Sequence, residues 1–267
     1  MTGVQTCALP IFLIKLSKRY KRQKQLSYVG ARIVNDPIYI ETVQKTEDEL
    51  NKAPYRFDVI NFLLQKMNKT NTVYLEIGVR YPHENFDKIH ANQKYSVDPG
   101  IENKENPVDF ELTSDAFFQS LDNNQILSND IRFDVIFIDG LHLADQVERD
   151  IENALRYIDD YGFVVLHDCN PPTEFHARES YYYRNSPARG VWNGTTWKAF
   201  YKSRLNSELY SCCIDTDWGI GIISKKCNIG AATTTSNPYY EYHVLEANRK
   251  EILNLISYED FVAKFNS

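Results

Sequence analysis

Four short apolar runs, each ending in an acidic residue, constrain this chain more than any other feature. Thr72–Val79 contains Leu75-Glu76-Ile77-Gly78, and Tyr95-Ser96-Val97 stops at Asp98-Pro99-Gly100. Phe133–Ile138 stops at Asp139-Gly140, and Phe163–Leu166 stops at His167-Asp168. Runs this short, bounded by turn residues, read as buried strands. Between and before them the period changes. Phe57–Met67 and Ser114–Leu121 have helical spacing, the second with Thr113 or Ser114 as its cap. His142–Ile158 carries Leu143, Val147, Ile151, Ala154, Leu155 and Ile158 on one stripe, the pattern of an amphipathic helix. Val108–Leu112 reads as a weaker additional strand, and Tyr161-Gly162 as the turn before Phe163.

Strands alternating with amphipathic helices make a mostly parallel sheet covered on both faces. The chain is therefore expected to be α/β, a Rossmann-like three-layer sandwich. Leu209–Ile214 and Ile220–Ile223 flank Asp217-Trp218-Gly219, which predicts a terminal antiparallel hairpin. In such sheets ligands bind outside the carboxyl ends of the strands, where Glu76, Asp98, Asp139 and Asp168 all fall.

The domain reading follows from these signals. Met1–Ile11 (MTGVQTCALPI) resembles a translated sequencing adapter and is set aside. Residues 12–50 form a basic N-terminal extension, 51–226 the α/β domain, and 227–267 a linker with a helical tail. Within the extension, Lys15, Lys18, Arg19, Lys21, Arg22 and Lys24 read first as a solvated helix face. The other reading is a helix for a membrane surface or a partner.

Bulk properties narrow the function classes. The formal net charge of -6 offers no overall footprint for nucleic acid. Five cysteines lack zinc spacing and fit a reducing compartment, so a cytoplasmic location is expected. No apolar run reaches the ~18–20 residues of a bilayer span, so no integral membrane segment is expected. Oligomeric state is not encoded in these features.

The loop after the first strand reads Gly78-Val79-Arg80-Tyr81-Pro82-His83 and has no second or third glycine. A dinucleotide pyrophosphate site is therefore disfavoured. Gly78 still permits close backbone approach, to a ligand or within a turn. Asp98 stands 22 positions after Glu76, where an acid accepts hydrogen bonds from ribose hydroxyls. Its alternative role is an Asx turn before Pro99. Asp139 with His142, and His167 with Asp168, end two neighbouring strands. Such a group holds a divalent cation or supplies a general base.

Taken together, Tyr74–Val79 (YLEIGV), Ser96–Pro99, Phe133–His142 (FDVIFIDGLH) and Gly162–Asp168 (GFVVLHD) resemble class I S-adenosylmethionine (SAM)-dependent methyltransferases. The nearest subgroup has an I-D-G-x-H segment after its fourth strand, and Asp217–Gly221 (DWGIG) resembles that group's last hairpin. The resemblance spans about residues 54–224. It implies that Glu76 and Gly78 line the methionine moiety of SAM and that Asp98 binds its ribose. It further implies that Thr113-Ser114-Asp115 contacts adenine, with Ser114 and Asp115 as cofactor residues, and that Asp139 lies beside the transferred methyl. From relatives that methylate sugar hydroxyls or catechols it implies Mg2+ on Asp139 and Asp168, with Asn170 as a third ligand. His167 stands where some of those relatives have another Asp.

The expected reaction is methyl transfer to a small-molecule acceptor, a hydroxyl compound such as a sugar, with Asp139, His142 and His167 as catalytic candidates. The aromatic stretch Tyr181-Tyr182-Tyr183, followed by Trp192-Asn193-Gly194, covers the acceptor in this reading. The competing readings are an NAD-type oxidoreductase on a similar fold and a non-catalytic methyltransferase-like binding module.

Overall fold

The computed structural model describes residues 8–105 and 107–266, with side chains from Lys15 onward. Residues 1–7, and with them Cys7 and most of the adapter-like string, lie outside the described residues. The described chain contains one seven-stranded sheet of order β2-β1-β3-β4-β6-β5-β7. The strands are β1 (Val73–Ile77), β2 (Gln93–Val97), β3 (Phe133–Ile138), β4 (Ile158–Leu166), β5 (Tyr210–Ile214), β6 (Ile220–Ser224) and β7 (Leu255–Ile256). β2, β1, β3 and β4 run parallel, while β6 is antiparallel to β4 and to β5. The expected mixed sheet with its hairpin is present.

The faces of β1 show how residue alternation builds the layers. Leu75 and Ile77 enter one core with Phe117 and Phe118 of α4 (Ser114–Asp122), Val147 and Ile151 of α5 (Ala144–Tyr157), and Trp197 and Phe200 of α6 (Thr196–Arg204). Tyr74 enters the other with Val59, Ile60 and Leu63 of α3 (Arg56–Lys66) and with Phe261 of α9 (Tyr258–Ala263). Successive strand side chains point to opposite faces, so five residues serve both layers. Glu76 shares its face with Tyr74, and this decides its hydrogen bonds.

Several local expectations are corrected. Val108–Leu112 is not a strand: it touches the sheet through a single parallel bridge, Val97 to Phe110. Tyr161-Gly162 does not turn the chain, because β4 runs through it with a register shift opposite Phe133 and Val135. A Cβ on Gly162 would come within 2.8 Å of the Asp134 carbonyl, so the bulge depends on glycine. No α-helix follows β1; the chain returns to β2 through 3-10 turns at Pro82–Glu84 and Phe86–Lys88. The tail folds as α7 (Tyr242–Ala247), α8 (Arg249–Leu253), β7 and α9 rather than as one helix, and β7 extends the sheet beside β5.

Two N-terminal helices precede the domain, α1 (Ala8–Val34) and α2 (Pro37–Leu50). Asp36 caps α2 through the Ile38 N–H at 2.9 Å, with Pro37 in the first turn. α2 is bound to the domain beside the Asp217-Trp218-Gly219 turn. Glu49, 6% exposed, accepts from the Trp218 N–H at 3.0 Å and pairs with Lys52 at 2.7 Å. Thr46 is hydrogen-bonded to the wholly buried His176 at 3.0 Å. Burial drives that imidazole's pKa down to about 4, so it is a neutral structural group. The 12–50 segment is thus a helix exposed from Lys15 onward, followed by a docked one.

Candidate functional site

Backbone hydrogen bonds bring the strand ends into a row. The Gly78 N–H donates to the Val97 carbonyl at 2.8 Å, Asp139 N–H to Ile77 at 2.9 Å, and His167 N–H to Ile138 at 3.1 Å. These bonds place Asp98, Glu76, Asp139 and Asp168 along one edge, as the strand-end pattern predicts.

Glu76 is 3% exposed and held by neutral partners. Its Oε2 accepts from the Tyr74 hydroxyl at 2.6 Å and from Asn85 Nδ2 at 2.8 Å. Burial raises its pKa to about 7 against the pull of these two hydrogen bonds. Gly78 has φ +92°, and a Cβ there would lie 2.2 Å from the Asp139 carbonyl oxygen. The glycine therefore lets the β1 loop close against the β3 loop. Asp98 accepts from the Gly100 N–H at 2.7 Å, so the Asx turn is formed; burial raises its pKa. Ser114 and Asp115 begin α4 under the Thr113 cap and both accept from Gln146 of α5, at 3.1 and 3.2 Å.

The densest chemistry surrounds Asp139. Its Oδ1 lies 3.3 Å from His142 Nε2 and 3.2 Å from His167 Nδ1. Asp168 Oδ2 lies 3.1 Å from His142 Nδ1 and 3.2 Å from His167 Nδ1. Two imidazoles thus bridge two carboxylates. Burial disfavours every charge here, but the mutual attraction prevails. His167, His142 and Arg56 hold Asp139 well below the carboxylate range against burial. His142 is lifted to about 9 by Asp168 and Asp139, again against burial. Burial likewise opposes a charged His167, which Asp168 and Asp139 raise well above the usual imidazole range. Asp168 itself sits at φ +62°, a conformation rare outside glycine, and accepts from Asn193 Nδ2 at 2.7 Å.

Sequence reasoning missed two members of this cluster. Arg56, the first residue of α3, places Nη1 2.6 Å from His167 Nε2, 3.7 Å from Asp217 Oδ1 and 3.9 Å from Asp139 Oδ2. Its backbone N–H donates to Asp217 Oδ2 at 2.8 Å, and Asp217 Oδ1 lies 3.2 Å from His167 Nε2. Asp217 belongs to the DWG turn, whose motif was visible although its inward carboxylate was not. Gly219 in that turn (φ +90°) packs against Asn170, where a Cβ would meet the Asn170 backbone nitrogen at 2.4 Å. Nothing in the local pattern around Arg56 marks it as more than a helix-start residue.

The ligand set implied for magnesium changes in one member. Asn170 is not brought to the cluster, because Asp215 accepts from its Nδ2 at 3.0 Å and Arg249 donates to its Oδ1. Asp139, His142 and Asp168 instead present one donor atom each within 4.8 Å of one another. Beside Asp168, the buried Asn193 Oδ1 has no protein partner. Two carboxylates and an imidazole fit a divalent cation, and the nitrogen donor suits manganese or zinc as well as magnesium.

The aromatic segment closes over this cluster. The Trp192 indole stacks on His142 with centroids 5.2 Å apart and an interplanar angle of 23°, and Tyr181 packs on Trp192 at 5.4 Å. Gly194 (φ +63°) lets the segment touch the His142 backbone, and Thr195 Oγ1 accepts from the Ala144 N–H at 2.7 Å. Thr195 thereby caps α5, whose own N-cap, Leu143, has no side-chain acceptor.

Comparison with known proteins bears on this arrangement. Residues 60–169 match the family model described as a methyltransferase domain. No match is found among the curated proteins. Among solved structures, the chain is similar to an O-methyltransferase from Bacillus cereus in complex with SAH, with 15% identity and a TM-score of 0.41, covering 74% of this chain and 96% of that one. It is also similar to an SAH-bound methyltransferase from Podospora anserina, with 12% identity and a TM-score of 0.42, covering 85% and 100%. A third is the O-methyltransferase TomG from Streptomyces achromogenes, involved in tomaymycin synthesis and in complex with SAM, with 12% identity, a TM-score of 0.36 and coverage of 75% and 94%.

Proposed function

We propose that this chain, which carries a methyltransferase domain over residues 60–169, transfers a methyl group from SAM to a hydroxyl of a small-molecule acceptor. One observation carries the reading: the acids Glu76 and Asp98 at the ends of β1 and β2 adjoin the Asp139, His142, His167 and Asp168 cluster along one sheet edge. The absence of an α-helix after β1 removes the helix terminus that an NAD pyrophosphate uses, which favours SAM over the oxidoreductase alternative. The intact two-histidine, three-aspartate cluster favours catalysis over a purely binding role.

Methyl transfer is an in-line displacement at a carbon already activated by the sulfonium, so alignment is the protein's first task. In this proposal Glu76 faces the methionine ammonium and the loop at Gly78 adjoins the methionine moiety. Asp98 binds the ribose hydroxyls, and Ser114 and Asp115 border the adenine. Asp139 positions the acceptor oxygen. His142, held between Asp139 and Asp168 and stacked on Trp192, takes the acceptor's proton as the C–O bond forms. His167 is pinned by Asp139, Asp168 and Asp217, so it serves as a fixed part of the electrostatic frame. A divalent cation held by Asp139, His142 and Asp168 would supply acidification of the acceptor hydroxyl in place of the His142 base, since a ligated imidazole no longer accepts that proton.

The test is thermal shift with SAH, NAD and Mn2+ or Mg2+ on the full chain. A ligand of the native state raises the midpoint. SAH is expected to stabilise and NAD to leave the midpoint unchanged. Asp98→Ala should cost at least tenfold in SAH affinity, about the 1.5–3 kcal/mol of a charge-assisted hydrogen bond. No stabilisation of the folded chain by saturating SAH refutes the proposal.

A further inference from the structure

Neither the domain match nor the site makes use of α1. Every residue from Lys15 to Ile38 is exposed, a run of 24 residues that takes in α1 from Lys15 to its end at Val34. Lys15–Val34 contains seven Lys and Arg residues and no Asp or Glu. Because the chain carries a formal net charge of -6, all residues outside this segment sum to -13. Charge is thus sharply divided between one projecting helix and an acidic body.

The charges are also arranged around the helix. Leu16, Tyr20, Gln23, Ser27, Ala31 and Val34 recur at steps of three and four, which places them on one uncharged face. Lys15, Lys18, Lys21, Arg22 and Arg32 fall on the remaining circumference, and Arg19 and Lys24 border the uncharged stripe. Leu16 is 45%, Tyr20 69% and Val34 51% exposed, and Leu26, Val29 and Ile33 are exposed among the basic positions. Aliphatic groups in these numbers have no counterpart on a phosphate–sugar backbone, whereas acyl chains receive them. A second copy of α1 would set seven cations against seven. No helix among the described residues is long and apolar enough to cross a membrane.

We propose that α1 is a docking helix for an anionic lipid bilayer, lying along the surface with its basic side chains at the headgroups. Each Lys or Arg near such a surface adds attraction that falls off within a Debye length. The acidic body is repelled, so contact is confined to α1 and the strand-end site stays in the aqueous phase. The inference is independent of the methyl-transfer reading, because none of its residues touches the site.

The test is co-sedimentation of the full chain with vesicles of phosphatidylcholine alone or mixed with phosphatidylglycerol, at low and high salt. Binding is expected only with phosphatidylglycerol, and it should weaken at least tenfold at high salt. The quadruple variant Lys18→Glu, Arg19→Glu, Lys21→Glu, Arg22→Glu should lose at least tenfold in vesicle affinity and keep the wild-type melting midpoint and SAH response. Equal binding to both vesicles, no binding to the anionic ones, or retention by poly(A) RNA without vesicle binding would each overturn the proposal. So would a concentration-dependent dimer that ignores vesicles.

Discussion

Replacing Glu76 by Gln separates the electrostatic cost of this residue from its use. Burial raises the Glu76 carboxyl from its ordinary 4.5 to about 7. The folded state therefore binds a proton that the unfolded state has released between those values. Stability from this group is fully present below pH 4.5 and is lost as pH rises through about 7. A shift of about 2.5 units at 1.36 kcal/mol each is worth about 3 kcal/mol. Gln keeps an acceptor for Tyr74 and Asn85 but never ionises. Wild type and Glu76→Gln should then have similar stability at pH 5, while the variant should be about 3 kcal/mol more stable at pH 8. For a chain of this size that is roughly 5–10 °C in melting midpoint. Urea denaturation of both proteins between pH 5 and 8 measures it, and the difference between the two curves cancels every other titrating group. In the proposed function the methionine ammonium pairs with the ionised form, so the same variant should bind SAH at least tenfold more weakly at pH 8. Stability curves that stay parallel across the range would refute the burial argument, whatever happens to ligand affinity.

Three further outcomes are expected. Gly78→Ala adds a Cβ 2.2 Å from the Asp139 carbonyl at φ +92°, and it should lower stability by about 2–4 kcal/mol in calorimetry or displace the Asp139 loop. Arg56→Met leaves Asp217, Asp139 and His167 without their guanidinium and should cost about 3–5 kcal/mol in urea denaturation, as for a broken buried ion pair. His142→Asn should reduce turnover about 10²–10⁴-fold with SAH affinity retained; in the wild type kcat/KM should rise with pH and level near 9, where His142 loses its proton. A flat profile would remove His142 from the proton transfer.

How much was readable in advance differs by element. Phe133–Ile138 is the same strand in sequence and in structure, because an uninterrupted apolar run buried on both faces admits few alternatives. Tyr161-Gly162 misled, because a bulge needs glycine as much as a turn does, and only pairing with β3 distinguishes them. Val108–Leu112 misled because a strand requires a neighbour, and Val97 offers one bridge. Glu76, Gly78, Asp98, Asp139, His142, His167 and Asp168 lie near one edge of the sheet because they end strands or follow directly on them. Asn170 was misplaced because two steps past the strand its direction is set by Asp215 and Arg249.

The sequence by itself determined the strand–helix alternation and the row of acidic strand ends, both of which follow from local periodicity and from the geometry of parallel sheets. Only the tertiary structure decided what those acids face. Arg56 lies 83 positions before Asp139 and Asp217 lies 78 after it, yet both reach His167. Charge pairing in a buried cluster depends on distance in space, and no pattern along the chain records it.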